Sequence, residues 1–259
     1  MATPKPVTLI TGASAGIGAA LAHQFASNGH ELVLVARRAV QLNDLAGTIE
    51  ERGLTRPQIV AADLTDRDAP ALIGDELRSR GLELNFVVNN AGFGLVGNAA
   101  ELGRAEQLAI IDLNARALTD LTLRFIDSLE RHRGGILNVA SVASFLPGPG
   151  LAVYHATKAY VLSFTEALHG EMKPRGIHVT ALCPGPVETE FQGRSGMPEG
   201  YFPSILLRPA ERVAREGYEG LMAGKRVVIP GFPNRVAAFL PRLAPRGLVL
   251  RAMGRPRKH

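Results

Sequence analysis

The sequence predicts an α/β fold, a parallel sheet of about seven strands with helices on both faces. Three observations carry that prediction. Short runs of consecutive apolar residues recur along the chain. Segments with apolar residues three and four apart follow them. The two kinds alternate from about residue 7 to residue 229, with no linker or internal repeat between them. A strand that is apolar throughout belongs in a sheet covered on both faces, and strict strand–helix alternation supplies those covers. A chain of 259 residues is long enough for one large domain with a sizeable core.

Val7-Thr8-Leu9-Ile10 is the first such run and ends in Thr11-Gly12. Ile17, Ala20, Leu21 and Phe25 then have helical spacing, and Asn28-Gly29 stops that helix. Residues 31–35 read as the second strand, 39–52 as helix, 58–62 as strand and 66–80 as helix. A strand near 84–88 precedes a long helical stretch over 101–131. Gly134-Gly135 introduces a strand over 136–140. Helix follows over 154–172, strand over 176–182, helix over 209–223 and a short last strand over 226–229. Residues 184–208 break this rhythm with Pro184, Pro186, Pro198 and Pro203, yet carry Phe191, Met197, Tyr201, Phe202 and Ile205 to Leu207. A long irregular segment of this kind is a lid or binding loop, or else a segment packed on its own body.

Composition sets limits. Hydrophobic residues make up 46% and charged residues 20%, as in an ordinary globular domain. No apolar run approaches the ~20 residues that span a bilayer. Met1 to Pro6 lacks the pattern of a signal peptide. The lone Cys183 cannot form an internal disulfide. The expected compartment is the cytoplasm. The net charge of +5 is unevenly spread, because residues 221–259 hold nine Lys plus Arg and no acid, while the rest is net negative. The body is therefore no nucleic-acid binder by charge. The expected organisation is a single domain over 1–231, with 186–208 as its substrate loop, and a basic amphipathic tail over 232–259.

Gly12, Ser14, Gly16, Ile17 and Gly18 lie where the first strand passes into the first helix, in a G-x-x-x-G-x-G spacing. Glycines let a backbone turn tightly against a pyrophosphate, and a helix N-terminus offers N–H groups and positive potential. The loop thus points to a dinucleotide on a Rossmann-type, doubly wound sheet. Gly12-Ala13-Ser14-Ala15-Gly16 also fits the G-x-S-x-G elbow of a serine hydrolase, but no earlier strand is present to complete an oxyanion hole. A dinucleotide-binding regulator without catalysis is the other alternative. Arg37 and Arg38 end the second strand, where an arginine accommodates the 2′-phosphate of NADP and an acid would take the ribose of NAD. The expected cofactor is NADP(H), with NAD(H) possible. Ser14 could add a hydroxyl to that phosphate. Asp63 could accept from the adenine amine or simply cap a helix.

Tyr154 and Lys158 stand four apart on a predicted helix, hence on one face. A free tyrosine, of pKa ~10, transfers protons poorly at neutral pH, and a neighbouring ammonium lowers that pKa.

Taken together, the glycine loop, Asn89-Asn90-Ala91-Gly92 after the fourth strand, Asn114, Ser141, Tyr154/Lys158 and Pro184-Gly185 resemble the short-chain dehydrogenase/reductase family. Ser141 lies 13 residues before Tyr154, and Asn114 lies 27 before Ser141, as in that family. The resemblance covers about residues 5–230. It implies an oxidoreductase that interconverts a carbonyl and an alcohol by hydride transfer. Tyr154 would be the acid/base, and Lys158 would bond the nicotinamide ribose. Ser141 would bond the substrate oxygen, and Asn114 would hold a water linking Lys158 to solvent. Asn90, Gly92, Pro184, Gly185, Val187 and Thr189 would line the cofactor. The apolar 186–208 segment adds a lipophilic or aromatic substrate. The resemblance also implies a homodimer or homotetramer paired through the helices near 101–131 and 154–172.

His155, His169 and His178 have no metal-ligand spacing, so no metal is expected. Ser144 is a minor competitor of Ser141, and Cys183 reads as a small buried residue. In the tail, Phe232, Val236, Phe239, Leu240 and Leu243 have helical spacing beside Arg235 and Arg242. Leu248 to Leu250 and Met253 follow among Arg246, Arg251, Arg255, Arg257 and Lys258. This tail could lie on an anionic membrane surface, pack on a partner subunit, draw in an acidic substrate, or be solvated.

Overall fold

The computed structural model describes residues 4–198 and 200–253. The tail cations Arg255, Arg257 and Lys258 lie outside the described residues. Seven parallel strands form one sheet in the order β3-β2-β1-β4-β5-β6-β7. They are β1 (Lys5–Thr11), β2 (Leu32–Ala36), β3 (Gln58–Ala61), β4 (Leu82–Asn89), β5 (Gly135–Val139), β6 (His178–Leu182) and β7 (Val227–Val228). The helices of the body are α1 (Gly16–Ser27), α2 (Ala39–Glu51), α3 (Ala69–Ser79), α4 (Arg104–Ile111), α5 (Leu118–Arg124), α6 (Ile126–Arg131), α7 (Ala152–Met172), α8 (Glu190–Arg194) and α9 (Ala210–Met222). Two more, α10 (Phe232–Leu243) and α11 (Arg246–Met253), form the tail.

The sheet has a core on each face, as its apolar strands require. Leu21, Leu42 and Val213 cover one side with β1, β2 and β6 residues such as Ile10, Leu34 and Leu182. Ile73, Leu121 and Leu168 cover the other with Leu9, Val33 and Val87. A polar ladder crosses the centre: Asn89 Nδ2 donates to Thr122 Oγ1 and Asn138 Oδ1, and Asn138 Nδ2 donates to Thr165 Oγ1, all at 2.9–3.0 Å. Strand order reverses between β1 and β4. That switch point opens a crevice at the carboxyl ends of the strands, where such sheets bind ligands.

The long helix expected over 101–131 is not continuous. It starts at Arg104, loosens into a π-helical turn over Asp112–Ala117 and breaks at Phe125. The cause is visible at Asn114, which is fully buried. Its Nδ2 donates to Phe93 O and Thr157 Oγ1, and its Oδ1 accepts from Phe93 N–H. Reaching these partners on a neighbouring loop and helix draws the local backbone out of α-helical register, a distortion found often at functional sites.

Candidate active site

The cradle begins where β1 meets α1. Gly16 adopts φ +57°, and a Cβ there would sit 2.9 Å from Thr189 Cγ2. A Cβ at Gly18 would collide with the Gly12 carbonyl and the Asn90 side chain. No side chain caps the start of α1, and its first turn holds no acid, so its N–H groups face the crevice without an internal anion. Asn90 fixes the loop: its N–H donates to Thr11 Oγ1 and its Nδ2 to Thr11 O and Gly12 O, at 2.9–3.2 Å.

At the end of β2, Arg38 donates to Ser14 Oγ at 3.1 Å and pairs with Glu190 at 2.9 Å. Arg37 lies 3.5 Å from Asp63. Asp63 Oδ1 accepts from Thr65 N–H and Oγ1–H. Burial opposes its ionisation, but these two hydrogen bonds and Arg37 outweigh that and hold the carboxyl below its usual range. Asp63 thus ties a local turn and is not the helix cap expected, because α3 starts only at Ala69 with Asp68 before it. Ser14 faces a guanidinium, which cannot take its proton, so the hydrolase reading has no general base at this hydroxyl.

Tyr154, Lys158, Ser141 and Asn114 come together at the end of the crevice away from Arg37 and Asp63. Tyr154 faces the pocket on α7, one turn from Lys158. Lys158 Nζ lies 5.8 Å from the Tyr154 ring centre and donates to Val139 O at 2.7 Å. Ser141 stands beside the Tyr154 hydroxyl, where it favours the phenolate, and accepts from Ala143 N–H at 3.1 Å, which starts a 3₁₀ turn over Val142–Phe145. Ser144 instead donates to Lys158 O, so Ser141 is the serine at the tyrosine. Gly92 is needed between Asn114 and Lys158: a Cβ would lie 3.0 Å from Asn114 Oδ1 and 3.3 Å from Lys158 Nζ.

The electrostatics differ from the sequence expectation. Burial pushes the Tyr154 phenol up to about 12, and the Ser141 bond offsets only part of this. The expected lowering by Lys158 is not found. Burial brings Lys158 itself down to about 8, and its short hydrogen bond goes to a backbone carbonyl.

The 186–208 segment roofs the site. Val187 is buried and bridges to Arg208. Thr189 caps α8 and touches Gly16. Phe191 lies over Tyr154 with ring centres 5.4 Å apart. Pro184 O accepts from Val142 N–H, and Gly185 leaves room for Asn234 of α10. Glu190, Asn234 and the pocket-lining Ala252 were not singled out in the sequence, and Met253 was read only as part of the tail's apolar face. The single amide of Asn234, among the apolar residues and arginines of that stretch, was the one available signal. His155, His169 and His178 each bond a backbone carbonyl through Nδ1 at 2.8–3.1 Å. Among the described residues no cluster could hold a metal.

The cavity has a volume of about 1570 Å³ and runs from Arg37 and Asp63, past the glycine loop, to Tyr154 and the lid. That exceeds the ~300–1,000 Å³ of a single small-molecule site. The uncapped helix start, the two glycines that bar a Cβ and the arginine pair suit the phosphates of a dinucleotide, and the far end suits a second ligand.

The short chain dehydrogenase family model matches residues 6–199. Sulfoacetaldehyde reductase 2 of Chromohalobacter salexigens is 36% identical over 188 residues, covering 71% of this chain and 74% of that protein. A short-chain dehydrogenase from Sphingobium yanoikuyae, solved in complex with NADPH, is 34% identical, with TM-score 0.81 over 98% of this chain and 96% of that one. The bulky-bulky ketone specific alcohol dehydrogenase from Comamonas testosteroni is 29% identical, with TM-score 0.77 over 100% and 98%. With its Rossmann-type sheet and glycine cradle, the chain belongs to the short-chain dehydrogenase/reductase family, the NAD(P)-dependent oxidoreductases that act on CH–OH groups.

Proposed function

We propose that the protein is an NADP(H)-dependent reductase or dehydrogenase of a lipophilic ketone, aldehyde or alcohol. The observation that carries the reading is one continuous cavity joining the Ser14–Arg38 pair to Tyr154 under an apolar roof. A nicotinamide dinucleotide bound in the cradle supplies or accepts the hydride. Tyr154 gives a proton to the carbonyl oxygen in reduction and takes it back in oxidation. Ser141 bonds the same oxygen and orients the phenol. Lys158 bonds the nicotinamide ribose, and its positive charge favours the phenolate once it turns towards the phenol. Asn114 has its side-chain amide committed to Phe93 and Thr157, so it holds the π-helical turn and the wall beside Lys158. A water-linked proton path at this position would use the turn's backbone carbonyls.

Gly12, Gly16, Ile17 and Gly18 take the pyrophosphate, and Asp63 takes the adenine end. Asn90, Gly92, Pro184, Gly185, Val187 and Thr189 line the nicotinamide side. The NADP(H) preference rests on Ser14, Arg37 and Arg38, whose donors can converge on a 2′-phosphate. Phe191, Met197, Tyr201 and Phe202 favour an apolar substrate, in line with the bulky ketones of the Comamonas relative. Exposed Leu108, Ile111, Leu123 and Tyr160 on α4, α5 and α7 fit pairing into a homodimer or homotetramer. A cytoplasmic protein with peripheral contact to a membrane accords with the helices present, none of which, among the described residues, is long and apolar enough to cross one.

The test is turnover with NADPH and with NADH over a panel of bulky ketones, steroids, 3-oxoacyl thioesters and small polar aldehydes. The reading expects NADPH and the bulky apolar compounds to lead. Turnover confined to small charged aldehydes, or binding of NADPH without turnover of any compound, would overturn it.

A further inference from the structure

The tail helix α10 is amphipathic the wrong way round. Its inward face carries Asn234 and Ala238, at 0% and 2% exposure, against the Val142–Phe145 turn and the lid. Its outward face carries Phe232, Val236, Phe239, Leu240 and Leu243, at 39–75% exposure. These positions are spaced 3.6 to a turn, so they form one stripe. In α11, Val249 is buried while Leu248 and Leu250 are exposed. An exposed apolar stripe of this kind marks an interaction site.

Charge identifies the occupant. Arg235 on α10 and Arg246 and Arg251 on α11 are exposed, and among the described residues none of them pairs with an acid. The whole segment 221–259 has nine cations and no acid. Two copies meeting face to face through it would place cation on cation, since a two-fold contact uses the same patch on both subunits. An anionic bilayer satisfies both features, taking the apolar stripe below the headgroups and the arginines among the phosphates.

We propose that the outer face of α10 and α11 is a seat for an anionic lipid surface, placed so that the active-site mouth opens at the bilayer. Ala252 and Met253, at the end of α11, line the same cavity as Tyr154. Asn234 Nδ2 donates to Leu206 O of the lid and to Pro230 O, which ties the seat to the roof of the site. The delivery half of the proposal rests on the lipophilic substrate argued above; the docking half does not.

Flotation with vesicles of phosphatidylcholine, with and without phosphatidylglycerol, tests the docking directly and needs no turnover. The full chain should float with the phosphatidylglycerol vesicles and come off as salt rises. Phe239→Ser with Leu243→Ser changes only outward side chains and should cut partitioning at least about tenfold. Arg246→Glu with Arg251→Glu should cut it roughly fivefold per charge removed. Both variants should keep the parent's melting temperature and its turnover of a water-soluble ketone, while losing rate on a ketone dissolved in the vesicles. Docking is overturned if the full chain stays off both vesicle types, or if the variants float like the parent. Loss of subunits by Phe239→Ser/Leu243→Ser in light scattering, with no flotation by any form, would assign the face to a second copy instead. Flotation as expected with no preference for the vesicle-dissolved ketone would keep the seat and overturn the delivery.

Discussion

The cradle and the roof, both at the carboxyl ends of the strands, line the two halves of one cavity by opposite means. The cradle is backbone: glycines that a Cβ would jam, an uncapped helix start, and Asn90 stapling β4 to the loop. The roof is side chains on irregular chain: Thr189, Glu190 and Phe191 reach back over the cradle, and Asn234 ties the roof to the tail. A backbone site admits one kind of ligand, because its donors cannot be re-aimed by point substitution. A side-chain roof can change its ligand while the fold stays put. Tyr154 and Lys158 stand between the two, on the rigid α7.

That contrast is sharpened by variants with separable effects. The largest is expected at the junction. Tyr154→Phe should lower kcat about a thousandfold with cofactor affinity nearly unchanged, since the proton donor is lost and the shape kept; activity within tenfold of the parent would remove Tyr154 from the chemistry. Next comes Lys158. Its folded pKa of about 8 lies below the ~10.4 of an unfolded lysine, so between these values the unfolded chain holds more protons. Stability of the cofactor-free protein should therefore rise with pH through that window, by up to about 3 kcal/mol, relative to Lys158→Met. Denaturant titrations of both proteins from pH 7 to pH 10 measure the difference, and parallel curves would show that Lys158 is not desolvated. The range stops where Tyr154 begins to act in the opposite sense, its raised pKa making the folded state the better proton holder.

At the rim of the cradle, where side chains take over from backbone, Arg38→Asp removes the partner of Ser14 and Glu190 and should shift the NADPH over NADH preference at least about tenfold towards NADH. An unchanged ratio in fluorescence titrations would move the recognition to Arg37. The smallest effect belongs to the roof. Phe191→Ala should raise KM for a bulky ketone several-fold, about what one partly buried aromatic contributes, and leave the cofactor Kd alone. Equal losses of cofactor and ketone affinity would erase the distinction between cradle and roof.

The same contrast explains what could be read before folding. The seven strands, the glycine loop and the Tyr154/Lys158 pair were legible because each rests on short-range spacing, whereas Asn114 and Ser141 were legible only through the resemblance to the family. The π-helical turn was not, since it is set by Asn114 reaching Phe93 and Thr157 from elsewhere in the chain. Glu190 meeting Arg38, and Ala252 and Met253 reaching the cavity, depend on how the irregular 184–208 segment and the tail fold back, which carries no periodic signal. The pKa directions were also hidden. An adjacent ammonium argued for a lowered Tyr154, but burial of both groups in one pocket prevails.

The central claim is that hydride passes between a nicotinamide in the cradle and a carbonyl carbon beside Tyr154. Its most direct test is the reduction of a bulky ketone by the full chain with NADPH deuterated at the transferable position, read by mass spectrometry of the alcohol. The account predicts deuterium on the carbinol carbon, at a rate that falls about a thousandfold in Tyr154→Phe. Alcohol formed without the label, or formed as fast by Tyr154→Phe, would contradict it.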